Sequence, residues 1–110
     1  MKKYSLVKSD TKSWLGKTLF RIKAEAGFGV VARGELGGYI ESESNLDQFG
    51  NAWVSGDARV SGNARVSGNA LVFGDAQVFG DAGVFGNARV SGDAQVYGDA
   101  RGSGYARVYG

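Results

Sequence analysis

From Gly50 to Tyr109 the apolar and polar positions recur every six residues. Ten consecutive hexads of the form Gly-[Asn/Asp]-Ala-x-Val-[Ser/Phe/Tyr] begin with Gly50-Asn51-Ala52-Trp53-Val54-Ser55 and end with Gly104-Tyr105-Ala106-Arg107-Val108-Tyr109, and nine of the ten keep the valine. A period of six matches neither the face of an α-helix nor an array of long hairpins, and it is a signature of the parallel β-helix. In each hexad x-Val-[Ser/Phe/Tyr] is a short extended segment. Strand side chains alternate faces, so the valine points inward and its two neighbours outward. Gly-[Asn/Asp] turns the corner, because these residues tolerate a left-handed backbone that a β-branched residue resists.

The turn residue carries a longer period. Asn51, Asn69 and Asn87 recur every 18 residues, as do Asp57, Asp75 and Asp93, while Asn63, Asp81 and Asp99 form the third set. Three hexads per coil account for this, since a triangular coil stacks like residues above one another at about 4.8 Å. The predicted fold is an all-β, single-domain parallel β-helix over residues 36–110, regular over 50–109, behind an N-terminal cap of residues 1–35 of the kind repeat arrays require. In the cap, Tyr4–Val7 and Leu19–Ala26 read as strands, with a short helix as the alternative for Leu19–Ala26. Ile40 and Leu46 already stand six apart, but Leu46 and Val54 stand eight apart, so a two-residue insertion separates a first irregular coil from the regular ones.

The repeats resemble the left-handed β-helix of the hexapeptide-repeat superfamily, in which an aliphatic residue is followed four positions later by a small one. Val54 with Ala58, Val60 with Ala64 and Val66 with Ala70 satisfy that rule. The segment Gly34-Glu35-Leu36-Gly37-Gly38-Tyr39-Ile40-Glu41-Ser42-Glu43-Ser44-Asn45-Leu46 is similar to the leader that precedes such repeats in phage, prophage and enterobacterial proteins, including the YdcK-type group, whose transferase label follows its fold. The resemblance implies a left-handed coil. It covers more than half of the chain and is specific for fold but weak for function, because the superfamily includes enzymes and inert scaffolds.

The resemblance also implies where chemistry would sit. Acyltransferases of the superfamily use a histidine base between subunits, and its carbonic anhydrase branch binds zinc through histidines. This sequence contains no histidine. A surface aspartate with a pKa near 4 replaces such a base poorly. The chain is therefore expected not to be an enzyme, with no catalytic residue, no cofactor and no metal. Three stacked carboxylates at Asp57, Asp75 and Asp93 would repel one another, and a hard cation such as calcium would relieve that. The preferred reading is simpler: aspartate is a routine turn residue, and Arg59 supplies neutralising charge.

Composition adds little to the picture beyond exclusions. The 19 glycines without any proline are absorbed by the periodic corners, and the absence of cysteine removes disulfide and thiolate chemistry. No long apolar run follows Met1-Lys2-Lys3, so neither a secretory leader nor a bilayer span is expected, and the expected location is the cytoplasm of a bacterial cell or phage-infected host. The net charge of +2 hides a gradient. Residues 1–23 carry seven Lys/Arg against Asp10, residues 24–49 carry five acids against Arg33, and residues 50–110 balance five Arg against five Asp. A basic arm containing Trp14 has the composition to touch nucleic acid or an acidic partner, but a solvated lysine-rich surface is the preferred reading. Nucleic acid is not an expected partner, because the charges of the repeats cancel.

The outward position after each valine carries the strongest functional signal. It reads Ser55, Ser61, Ser67, Phe73, Phe79, Phe85, Ser91, Tyr97, Ser103, Tyr109. Three phenylalanines belt one coil, and a contiguous apolar belt on a solenoid marks an interaction surface. Trp53, Leu71, Phe73, Arg89, Arg107 and Tyr109 share one side, with the aromatic-plus-arginine composition of binding hot spots. With Phe79, Phe85 and Tyr97 they make up the expected interaction surface, set against the alternative that the aromatics merely stack as ladders along the walls. Gly102 at a valine position and Tyr105 at a turn position mark an atypical last coil, whose open edge is expected to pair with another subunit or to be covered by Tyr105. The expected function is a non-enzymatic interaction or self-assembly module of phage or prophage origin, one version being an inhibitor of a bacterial host protein. Its partner is a second copy or a bacterial protein. The alternative is an acyltransferase-like trimer lacking the usual histidine.

Overall fold

The computed structural model describes residues 2–14, 16–29, 31–102 and 107–109, and their regular structure is all strand apart from one 3₁₀ turn, Glu43–Asn45. Ten short strands build the solenoid: β4 Trp53–Val54, β5 Arg59–Val60, β6 Arg65–Val66, β7 Leu71–Val72, β8 Gln77–Val78, β9 Gly83–Val84, β10 Arg89–Ser91, β11 Gln95–Val96, β12 Arg101–Gly102 and β13 Arg107–Tyr109. They join into three parallel sheets. One continues β5-β8-β11, one is β4-β7-β10-β13, and one is β6-β9-β12. Each strand pairs with the strand 18 residues away, as in Trp53↔Leu71, Leu71↔Arg89 and Arg89↔Arg107, so the period of the turn residues is the period of the coil.

The hexad chemistry explains the corners. Val54, Val60, Val66, Val72, Val78, Val84 and Val90 are fully buried, and Ala52, Ala58, Ala70, Ala76 and Ala88 lie beside them, also fully buried. The corner glycines sit at positive φ, and at Gly68 (φ +67) an added Cβ would lie 3.0 Å from the backbone nitrogen of Gly86 in the next coil. Two constraints thus select glycine there, the backbone conformation and the closeness of the stacked corner.

The cap is a hairpin rather than a helix. β1 Tyr4–Trp14 and β2 Lys17–Ala24 pair antiparallel, and β3 Leu36–Ile40 pairs antiparallel with β2 and parallel with β5. Of the two readings of Leu19–Ala26, the strand is the one formed; Leu19, Ile22 and Ala24 are buried while Thr18, Phe20 and Ile22 favour extended backbone. Ile40 pairs with Val60 and Leu46 bridges to Val66, each 20 residues on rather than 18. The two extra residues fall between Leu46 and Val54, and within that stretch Phe49 stands 83% exposed.

The first regular coil presents backbone carbonyls that have no regular coil before them, and residues of the cap and of the first irregular coil satisfy three equivalent ones by three different means. Lys3 Nζ donates to Ala52 O at 2.8 Å, Tyr39 N donates to Ala58 O at 2.9 Å, and Asn45 Nδ2 donates to Ala64 O at 2.8 Å. The buried Asn45 amide also donates to Gly62 O at 3.1 Å and accepts from the backbone of Glu41 and Ser42. Unpaired buried carbonyls are costly, and these three donors remove that cost at this end of the solenoid. Tyr4 reinforces it by donating its hydroxyl to Leu46 O, and burial raises its phenol pKa above the ordinary value.

Candidate functional site

Register distributes the nine expected surface residues over three walls. Trp53, Leu71, Arg89 and Arg107 form one column down the β4-β7-β10-β13 sheet, as the sequence placed them. Trp53 is not part of an accessible surface, however. It is only 3% exposed, held edge-on by Phe28 at 5.3 Å and by Tyr4 at 6.4 Å. The loop between β2 and β3 and the first residues of β1 fold over it, and its indole Nε1 has no hydrogen-bond partner. Leu71 is half-buried and Arg89 exposed. Arg107 and Tyr109 continue the column and its neighbour as backbone positions paired with Arg89 and Ser91, and their side chains lie outside what the structure describes, as does Tyr105.

The three phenylalanines leave the coil from three different sheets, following β7, β8 and β9, so they do not make one contiguous patch. Phe73 and Phe79 are partly buried and Phe85 is 37% exposed. Contact runs along the axis instead. Phe79 stacks on Tyr97, one coil on, with centroids 5.3 Å apart and planes within 9°. Trp14, at the end of β1, meets Phe79 edge-on at 5.3 Å, and the Arg59 guanidinium lies 6.0 Å from the Trp14 centroid. Beside this ladder Gln95 Nε2 donates to Gln77 Oε1 at 3.2 Å. Tyr97 is 58% exposed.

The Trp14 contact was not visible in the sequence, where Trp14 reads as part of a basic arm. That arm forms the β1–β2 hairpin, and three of its seven basic residues are in ion pairs. Lys2 lies 3.0 Å from Glu43, Lys17 lies 3.4 Å from Glu41 and Arg21 lies 2.7 Å from Asp10. Lys12 and Arg21 sit over the Tyr39 ring at 4.9 and 4.5 Å. The basic and acidic segments of the charge gradient therefore partly neutralise each other within the cap. Lys3 is the exception in environment: burial pulls its pKa down to about 8, with Asp47 opposing the shift.

The corner columns act through hydrogen bonds. Asn69 Nδ2 donates to Asn87 Oδ1 at 3.3 Å and Asn63 Nδ2 to Asp81 Oδ1 at 3.0 Å. Among the described residues no three His, Cys, Asp or Glu side chains gather as metal ligands, the column of Asp57, Asp75 and Asp93 included.

A family model of the YdcK beta solenoid repeat matches the chain in four overlapping stretches, residues 52–66, 58–74, 64–80 and 76–97. No curated protein matches it significantly. The matched stretches are the regular coils defined by the 18-residue register. Residues 52–97 carry YdcK beta solenoid repeats, and the protein is a repeat β-helix resembling the YdcK-type proteins.

Proposed function

We propose that the protein is a non-enzymatic interaction module whose solenoid presents an aromatic surface to a second copy of itself or to a bacterial protein. The observation that carries this reading is the Phe79–Tyr97 stack, which holds a tyrosine ring in fixed orientation with 58% of the residue open to solvent. A rigid, amphipathic aromatic loses little side-chain freedom on binding, which is why tyrosine is enriched at hot spots. Phe85 is a second, separate exposed aromatic on another wall. The phage or prophage origin and an inhibitory role toward a host protein remain part of this proposal, supported by the resemblance of the leader and repeats alone. No observation favours an acyltransferase-like trimer, and no described helix is long and apolar enough to cross a membrane.

Photocrosslinking tests the reading. A benzophenone side chain placed at Tyr97 is expected to trap a second copy or a single bacterial protein from a lysate, while the same group at exposed Arg33 traps neither. Equal labelling from both positions, or none from Tyr97, counts against an interaction surface there.

A further inference from the structure

On the β4-β7-β10-β13 wall, away from the Tyr97 ladder, an open groove of about 220 Å³ is lined by Gly29, Asn51, Asn69, Leu71, Asn87 and Arg89. The asparagine column forms one rim and the Leu71–Arg89 column the other, so the groove follows from the repeat: both positions face outward, two residues apart in each hexad. Gly29, whose Cβ would stand 3.2 Å from Asn51 Cβ, closes the upper end.

The lining selects a narrow class of ligand. Arg89 is exposed, and among the described residues it has no carboxylate within ion-pair distance. A guanidinium of this kind donates paired hydrogen bonds to a carboxylate. The asparagines spend one donor and one acceptor on each other at Asn69–Asn87, and each amide retains further donor and acceptor capacity. Side-by-side donors and acceptors match neighbouring hydroxyls, which also both donate and accept. Among the described lining residues Leu71 supplies the single apolar side chain, suited to the C–H face of a ring. The volume lies below the roughly 300 Å³ at which pockets for drug-sized ligands begin, so the occupant is small. A peptide fits the wall poorly. Its strands are already paired in register, leaving no edge to extend between them, and the lining offers no successive apolar pockets for alternate side chains.

We infer that this groove binds a sugar acid, with the carboxylate on Arg89, hydroxyls on Asn69 and Asn87, and the ring over Leu71. The inference goes beyond the aromatic-surface reading and does not depend on it, because the two sites lie on different sheets.

Titration of the full chain with glucuronate, followed by backbone amide NMR, tests it, with glucose and acetate as probes of each half of the ligand. Two substitutions keep the repeat chemistry intact. Arg89→Gln puts in a residue that Gln77 and Gln95 already use at the same hexad position, and Asn87→Asp one that Asp57 and Asp75 use at the turn. Glucuronate is expected to shift Asn69, Leu71, Asn87 and Arg89 saturably and to bind more tightly than either probe. Arg89→Gln is expected to weaken it about ten-fold or more, and Asn87→Asp to abolish it by placing a carboxylate beside the ligand. The inference is overturned if glucuronate gives no saturable shifts at these residues, if acetate binds as well, or if folded Arg89→Gln binds unchanged.

Discussion

The buried ammonium of Lys3 donates a 2.8 Å hydrogen bond to the carbonyl of Ala52, 49 residues further along the chain, and a longer one, 3.5 Å, to Gly50 O. It stands where a preceding coil would supply a backbone N–H. The same task falls to Tyr39 N at Ala58 and to the Asn45 amide at Ala64. Three donors of different chemistry thus close the three walls of the solenoid at one end, one from the cap and two from the first irregular coil.

Lys3→Met removes the donor and leaves two carbonyls facing an apolar side chain. The expected loss is about 1–3 kcal/mol, the cost of unsatisfied buried acceptors. The loss depends on pH. Between about 8 and the ordinary lysine value of 10.5 the unfolded chain holds a proton at Lys3 that the folded chain has released. Stability from this group therefore rises with pH across that window and is lost as pH falls through 8. Urea denaturation of both proteins at pH 7 and pH 10 is expected to show a larger difference at pH 10.

Gly38→Ala tests how closely β3 approaches the first regular coil. A Cβ at Gly38 would lie 2.7 Å from Ala58 O and 2.8 Å from Val54 Cγ1, neither of which can move without disturbing the ladder. Overpacking of this kind costs roughly 1–3 kcal/mol. Thermal unfolding of the variant is expected to shift downward accordingly, whereas no shift would mean β3 sits further from the coil.

Gly102 is the reverse case. It occupies a valine position in β12, is buried, and among the described residues an added Cβ would meet only Ala88 Cβ at 3.7 Å and Val84 Cγ1 at 4.0 Å, ordinary contact distances. Gly102→Ala is expected to stabilise the protein by about 0.4–1 kcal/mol, chiefly by restricting the unfolded chain. Denaturant midpoints of the two proteins decide this directly.

Trp14→Ala removes the edge contact to Phe79 and the ring beside the Arg59 guanidinium. With an aromatic pair worth about 0.5–1.5 kcal/mol, the global effect is modest. The local effect is larger: amide exchange is expected to accelerate through Thr11, Lys12 and Ser13 while Val72, Val78 and Val90 keep their protection. Uniform acceleration would place Trp14 in the core of the folding unit instead of at its edge.

The regular coils were legible because one residue type does one job at each hexad position. Valine fills the interior, alanine fits beside it, glycine accepts the positive φ of the corner, and the turn residues repeat with the coil. Even the insertion before Val54 could be counted, and it appears as the change from 18-residue to 20-residue pairing at Ile40 and Leu46. The cap contacts were not legible, because they join residues with no shared pattern. Trp53 occupies the same outward hexad position as Arg59 and Arg65, and only the hairpin and the Phe28 loop arriving from far back in the chain turn that position into core. Phe79 likewise belongs to a phenylalanine series in sequence, yet its partners are Trp14 and Tyr97. Walls are set by the repeat. What covers a wall is set by long-range packing.

The most direct test of the aromatic surface is molar mass in solution by light scattering over a concentration series, with and without a bacterial lysate protein retained on the immobilised chain, for the wild type and for Tyr97→Ser with Phe85→Ser. Serine occupies the equivalent outward position at Ser55, Ser67 and Ser91, so the variant keeps the repeat pattern. The account predicts that the wild type associates with itself or retains a specific protein and that the folded variant does neither. A wild type that stays monomeric and retains nothing, or a variant that associates as the wild type does, would contradict it.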